Sequence, residues 1–263
     1  MTILIVSIFA SFYFYISFTK INLTKLNFFH RLLLKQTVKK WEKYTNGIPK
    51  EKYAITEYDA LISLLNFLEK YLVNQILSID PKNLGFNGPF YSLELPDNLK
   101  KINSVKFKGK GEGGETGVQY CPNHSLNDFI AMDIAIFNEI GKHILIDSGY
   151  RSPGRQAFLF INYLVKDNDF CLKENGRWIA LPGYSEHGSP INNAIDIATE
   201  DGINGFSDEQ TAEDFETTEE YKWLIKNAHL YNFYLSYPKN NLFGVAYEPW
   251  HWHWEKGKPE SEG

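Results

Sequence analysis

Cysteine is scarce in this 263-residue chain, with only Cys121 and Cys171 present. That scarcity excludes a multi-bridge disulfide framework and any zinc site built from thiolates alone. Basic excess is also missing: 27 Lys and Arg against 32 Asp and Glu leave a net charge of −5. Without a long basic run, the electrostatic footprint of a nucleic-acid-binding protein is lacking. No internal repeat is visible. What the chain does have is apolar and aromatic side chains, 43% and 16% of its residues, enough for the packed core of one good-sized domain with extra elements.

The first charged side chain is Lys20. A helix over residues 2–19, rising 1.5 Å per residue, would nearly cross a hydrocarbon core. The segment has neither a basic start nor a clear small-x-small cleavage site, so it is expected to be an uncleaved membrane anchor rather than a signal peptide. Lys20, Lys25, Arg31, Lys35, Lys39 and Lys40 follow it. By the positive-inside tendency they would hold the rest of the chain in the cytoplasm, which opposes the cell-envelope location reached below.

Beyond the anchor, residues 20–95 read as a helical spacer or accessory region. A helix over 22–45 closes at Asn46-Gly47 and Pro49. A second, opened by Thr56-Glu57-Tyr58-Asp59, runs to about Ser78 with a stripe of Leu61, Leu64, Leu65, Leu68, Tyr71, Leu72 and Ile76. Residues 80–124 are rich in Gly, Pro and Asn, and Lys108 to Glu115 reads as a flexible loop with no chemistry assigned. Ser125 opens a helix bearing Phe129, Ile130, Met132, Ile136 and Phe137 that stops at Gly141. His143 to Asp147 is a short buried strand, and Ser152-Pro153 supplies the N-cap and first residue of the next helix. Arg151 therefore stands at a strand-to-helix junction, where ligands are commonly held. A last helix starts at Thr217-Thr218 and reaches about His229, and two aromatic strands near 231–237 and 243–254 finish the fold.

Two segments about sixty residues apart carry the chemistry: Ser185-Glu186-His187 with Ala194-Ile195-Asp196, and Glu248-Pro249-Trp250-His251. They offer two imidazoles, a carboxylate and a spare glutamate. A hydrolytic zinc site asks for three N or O ligands, an open position for water and a nearby base. Asp196, set among Ile195 and Ile197, needs a partner because a buried carboxylate is costly alone. In the strand His251-Trp252-His253-Trp254, both histidines face one way and the tryptophans the other, so either imidazole could be the ligand.

Ser148-Gly149-Tyr150-Arg151-Ser152 with Gln156, then Ser185-Glu186-His187 to Asp196, then Glu248-Pro249-Trp250-His251 resemble, in order, the three signature blocks of the VanY-like D-alanyl-D-alanine carboxypeptidases. These are zinc peptidases of the group that includes lysostaphin and the hedgehog fold. The resemblance covers about residues 120–256. It implies an α+β fold, a small antiparallel sheet with flanking helices; the peptidase domain is read over 96–256, and residues 257–263 as a polar tail. It implies one zinc ion held by His187, Asp196 and His251, with Glu248 as general base. Arg151 would fix the substrate and stabilise the oxyanion, with Gln156 and Ser185 lining the pocket. The substrate implied is a peptidoglycan stem peptide ending in D-Ala-D-Ala.

The chain departs from the family pattern in places. Eight residues separate His187 from Asp196 where six are common, and Asn193 replaces a usual glycine, so a bulge at Gly188-Ser189-Pro190 and a left-handed Asn193 are expected. Ser236 stands where Arg is frequent, and His251-Trp252-His253 resembles the His-x-His of the lysostaphin-type branch, although the Glu248 spacing favours His251. The alternatives are a cross-bridge endopeptidase or dipeptidase using the same zinc site, and a non-catalytic envelope-binding protein that keeps zinc as a clamp.

Overall fold

The computed structural model describes residues 20–108, 114–207 and 209–257. The expected membrane anchor, the centre of the 108–115 loop and most of the polar tail lie outside the described residues. Among the described residues no helix is long and apolar enough to cross a membrane.

The N-terminal helices form because their apolar residues recur at helical spacing, and the two longest are capped in their first turns by asparagine side chains. α1 spans Phe28–Gly47, with the Asn27 side chain accepting from His30 N–H. A single turn, Lys50–Tyr53, follows. The long helix expected from 56 to 78 is two helices, α2 (Tyr58–Ser63) and α3 (Phe67–Leu77). The break comes from Asn66 and Glu69, whose side chains cap one another's backbone N–H groups in a capping box and so restart the helix. Restarting rotates the stripe: Leu61, Leu65, Leu72 and Ile76 are buried, whereas Leu64 and Leu68 are exposed.

Next come β1 (Leu99–Ile102) and β2 (Gln119–Pro122), an antiparallel pair, and α4 (Asn123–Ile140). Ser125 is not the cap of α4, because its hydroxyl donates to the Pro122 carbonyl from inside the first turn. Phe129, Met132 and Ile136 face the core and Ile130 and Phe137 face out. β3 (Ile144–Ser148) leads into α5 (Pro153–Lys166), where the Ser152 hydroxyl accepts from Arg155 N–H, as the cap reading requires. β4 (Ala194–Thr199), α6 (Glu219–Asn227), β5 (Phe233–Leu235) and β6 (His251–Trp254) complete the chain. The aromatic strands are shorter than expected, because 243–250 runs as irregular chain and turns into β6.

The main sheet is antiparallel in the order β3-β4-β6-β5. On one face Ile195, Ile197, Trp252 and Trp254 pack with Met132 and Ile136 of α4 and Trp223 and Leu224 of α6. The other face carries the polar residues described below. A second core joins α1, α2 and α3 to Phe158, Phe160, Ile161 and Leu164 of α5, with Trp41 fully buried and its indole N–H donating to the Leu61 carbonyl. The N-terminal helices are thus packed on the helix that begins beside Arg151. Burying each large apolar side chain contributes roughly 1.5–3 kcal/mol.

Backbone meets backbone at Gly154, where a Cβ would stand 2.2 Å from the Thr56 carbonyl oxygen. Beside it the Ser152 hydroxyl donates to that same carbonyl at 2.6 Å and Ser152 N–H donates to the Ala54 carbonyl. A side chain at 154 must therefore push the two segments apart. Gly154→Ala is expected to lower stability by about 1–3 kcal/mol, read as an earlier urea midpoint. An unchanged midpoint would show that the 53–58 segment yields freely.

Candidate metal and catalytic site

Strand register sets the site. Asp196 pairs with His251 across β4 and β6, and Ser148 pairs with Asp196 across β3 and β4 after a bulge that follows Ile146. Directly opposed residues share a face with Cβ atoms about 5 Å apart, so the carboxylate and the imidazole are neighbours before any rotamer is chosen. Asp196 Oδ1 lies 2.9 Å from His251 Nδ1, and Arg151 Nη2 donates to Asp196 Oδ2 at 2.5 Å. Arg151 Nε donates to the Ser148 hydroxyl at 2.9 Å. Arg151 is thus clamped at two points and keeps further N–H groups for a ligand.

His187 arrives from a different element, the single 3-10 turn Glu186–Gly188. Its ring is fixed by an approach that only glycine permits: a Cβ on Gly149 would lie 2.2 Å from the Tyr120 carbonyl oxygen. The Gly149 carbonyl accepts from His187 Nδ1 at 2.8 Å. In the neutral ring this leaves Nε2 with a bare lone pair. Nε2 is buried, has no hydrogen-bond partner, and stands 3.2 Å from Asp196 Oδ2 without the alignment of a hydrogen bond.

One ligand atom each from His187, Asp196 and His251 lies within 4.8 Å of the others. Donor atoms around a four-coordinate zinc ion stand roughly 3–4 Å apart, so an orphaned imidazole nitrogen and a two-N, one-O donor set fit such an ion. The charge balance agrees. Asp196, Glu186 and Glu248 converge around His187 and His251, and Arg151 is the cation bonded to that group.

The protonation behaviour follows from burial and neighbours. Burial and Arg151 hold the His187 imidazole down at about 4. Burial opposes charge on His251 too, but Asp196 and Glu186, one on each ring nitrogen, outweigh it and raise the ring to about 10. Burial alone would raise Asp196; His187 and Arg151 override it and hold the carboxyl well below its usual range. Glu248 goes the other way. Burial, reinforced by Asp196 and Glu186, lifts it to about 8 despite His251 and Arg151. Its Oε2 is 3.7 Å from His251 Nδ1, so this carboxyl stands beside the cluster.

The residues marked in the sequence for the site reach this place, with the exception of His253. Arg151, Gln156, Ser185, His187, Asp196, Glu248 and His251 all line one cavity of about 820 Å3. The Gln156 side chain donates to the Ala180 carbonyl, leaving its buried oxygen unpartnered. The two-residue insertion after His187 is absorbed in the turn at Ser189 to Asn192, where Asn192 N–H donates to the Ser189 hydroxyl. The left-handed Asn193 is not found: left-handed non-glycine residues among those described are Asp169, Phe170, Asn232 and Asn240. Asn193 is instead fully buried, and its amide donates to Cys121 Sγ at 3.6 Å. Cys121 and Cys171 are both free thiols.

His253 is separated from the cluster. It sits two residues along β6, where its Nδ1 lies 2.8 Å from the Ser236 hydroxyl. Three contributors were not marked in the sequence. Glu186 Oε2 lies 2.9 Å from His251 Nε2, which leaves Nδ1 to face Asp196 and the cavity. Tyr91, from the segment read as lacking chemistry, donates to Glu186 Oε1 at 3.1 Å. Asp147, raised to about 6 chiefly by burial, lines the cavity and accepts from Asn204. Glu186 stands next to a histidine already marked, so its position carried a signal. Tyr91 is ninety-five residues from its partner in sequence and carried none.

These contacts distinguish the histidines. His251→Ala should abolish tight zinc binding in a competitive chelator titration, and His253→Ala should retain it. Glu186→Gln should weaken affinity by about 10- to 100-fold, the usual effect of losing a residue that orients a ligand. Zinc retained by His251→Ala and lost by His253→Ala would reverse the ligand assignment.

The sequence model of the family described as VanY, D-alanyl-D-alanine carboxypeptidase, matches residues 120–257, just over half of the chain. YodJ of Bacillus subtilis (strain 168), by its name a candidate carboxypeptidase, is 37% identical over 113 residues, 42% of this chain and 38% of that protein. A D-alanyl-D-alanine carboxypeptidase of Enterococcus faecium is 35% identical over 112 residues, 41% of this chain and 29% of that protein. The matches span about a third of the length of these curated relatives. Among solved structures, the LdcB LD-carboxypeptidase is 28% identical, with 66% of this chain and 77% of that chain covered at a TM-score of 0.48.

Proposed function

The chain belongs to the VanY family of D-alanyl-D-alanine carboxypeptidases, and from that membership we propose that it is a zinc-dependent peptidase removing the terminal D-Ala from peptidoglycan stem peptides. The observation that carries the proposal is the convergence of His187, Asp196 and His251 with Glu248 and Arg151 in a single cavity. A site that held zinc only as a clamp would need neither a basic glutamate nor an arginine with spare donors, and would close its fourth position.

In this reading His187, Asp196 and His251 hold the ion, which supplies Lewis acidity and lowers the pKa of water to near 7. Glu248 accepts a proton from the attacking water as its oxygen bonds to the scissile carbonyl carbon. Arg151, held by Asp196 and Ser148, faces the carbonyl oxygen and stabilises the negative charge that develops there. As the C–N bond breaks, Glu248 returns the proton to the leaving amine. Ser185 and Gln156 shape the wall against the peptide. The catalytic domain is assigned to residues 96–256, with 20–95 as an accessory helical cover, and its substrate places it at the cell envelope.

The test is mass spectrometry of a stem peptide ending in D-Ala-D-Ala, incubated with residues 20–263 with and without a chelator. Loss of one alanine residue, abolished by chelation, is expected. A cut elsewhere would keep the chemistry and reassign the specificity, and an intact peptide would sink the carboxypeptidase reading. Glu248→Ala should bind zinc like the parent while turnover falls about a hundredfold or more; unchanged turnover would remove Glu248 as the base.

A further inference from the structure

The cavity extends beyond the metal ligands along α5, where it is lined by Arg155 and Tyr163 as well as Arg151. Arg155 is half-buried there. Its Nη1 donates to the Tyr53 hydroxyl at 2.6 Å, and its guanidinium carbon lies 3.7 Å from the centre of the Tyr53 ring and 5.5 Å from that of Phe158. Among the described residues no carboxylate forms an ion pair with it, whereas Arg151 has Asp196.

Three costs meet at this residue. Removing a guanidinium from water without a counter-ion is unfavourable. Arg155 also lies in the first turn of a fourteen-residue helix, where the macrodipole already presents positive charge and favours anions over cations. Arg151, just before the N-cap of that helix, is a like charge. Burial and Arg151 lower the Arg155 pKa, to about 10, with the Tyr53 contact opposing them. The guanidinium thus stays charged at neutral pH and is held by an aromatic face and a phenol rather than by an acid. An arrangement of this kind, opening on a cavity, is stabilised when an anion enters.

We propose that Arg155, aimed by Tyr53, is a specificity residue that binds a carboxylate of the substrate in a subsite next to the metal centre. The proposal rests on the peptidase reading for the nature of the ligand. Arg151 stands just before the N-cap of α5 and Arg155 in its first turn, and both line the one cavity. The cavity shared with Arg151 leaves two candidates for that carboxylate: the free α-carboxylate of the leaving amino acid and a side-chain carboxylate just upstream of the scissile bond. Planar carboxylates suit the guanidinium fork. Tyr53 lies outside the 120–257 family match, so the accessory helices contribute directly to recognition.

The experiment reads binding without turnover. Calorimetric titration of the full chain carrying Glu248→Gln, alone and with Arg155→Gln or Arg155→Lys, would use three peptides. One ends in a free D-Ala-D-Ala acid and carries an upstream side-chain carboxylate, the second is its C-terminal amide, and the third is its side-chain amide. Arg155→Gln should weaken the parent peptide about 10- to 100-fold, the scale of one charge-assisted contact. Arg155→Lys should recover part of the loss. One of the two amides should bind equally well with and without the Arg155→Gln change, and which one identifies the carboxylate. Should Arg155→Gln fail to fold, Tyr53→Phe, which removes only the phenol, is expected to shift the same peptide in the same direction by less. Affinities for all three peptides within threefold of the parent protein, or no binding by any protein, would overturn the subsite. Cleavage by the protein with Glu248 intact is scored separately, so a bound but uncut peptide would count against the peptidase reading and not against this one.

Discussion

The pairing of β4 with β6 is the constraint on which the rest of the site depends. It sets Asp196 opposite His251 on a face whose reverse side is filled by Ile195, Ile197, Trp252 and Trp254. Because side chains alternate along a strand, a slip of one residue would turn the carboxylate into the apolar core and a tryptophan into the cavity. The hydrophobic cost of that exchange fixes the register, and the register fixes the site. The chemistry is thus held in place by residues that take no part in it.

Around that pair, each functional group is oriented by a second contact from another element. Gly149 gives His187 its tautomer, Glu186 faces the outer nitrogen of His251, and Ser148 and Asp196 hold Arg151. Glu248 has no such partner among the hydrogen-bonded groups of the cluster, and burial raises its basicity while the other two carboxylates are charged. The three acids therefore differ in protonation because their surroundings differ: one is paired on both oxygens, one is bonded to an imidazole and a phenol, and one makes no side-chain hydrogen bond among the described residues.

The sequence made this centre legible because its donors lie in short blocks whose local structure is strongly dictated. Ser152-Pro153 supplies the residues favoured at an N-cap and first helical position, and alternation in Ala194 to Ala198 marks a strand. The limits appear where a local rule met a tertiary one. Asn193 has the residue type for a left-handed turn but fills a buried slot against Cys121. The stripe over 56–78 suits one helix until Asn66 and Glu69 cap each other. Tyr91 and Tyr53 belong to segments with no chemical pattern of their own, and only folding brings them to Glu186 and Arg155.

The accessory helices thereby acquire a physical reason to be fixed rather than tethered. Their core with α5 is formed by large apolar side chains, and their edge at Ala54 and Thr56 is bonded to Ser152, one residue from Arg151. Displacing that edge would unmake the Ser152 contacts, move the first turn of α5 and release Arg155 from Tyr53 together. An arginine held only by a phenol and an aromatic face stays oriented as long as the segment carrying that phenol stays docked. The subsite proposed along α5 and the packing of the N-terminal helices are therefore one structural problem, because the same short segment, 53–56, borders both the apolar core and the cavity.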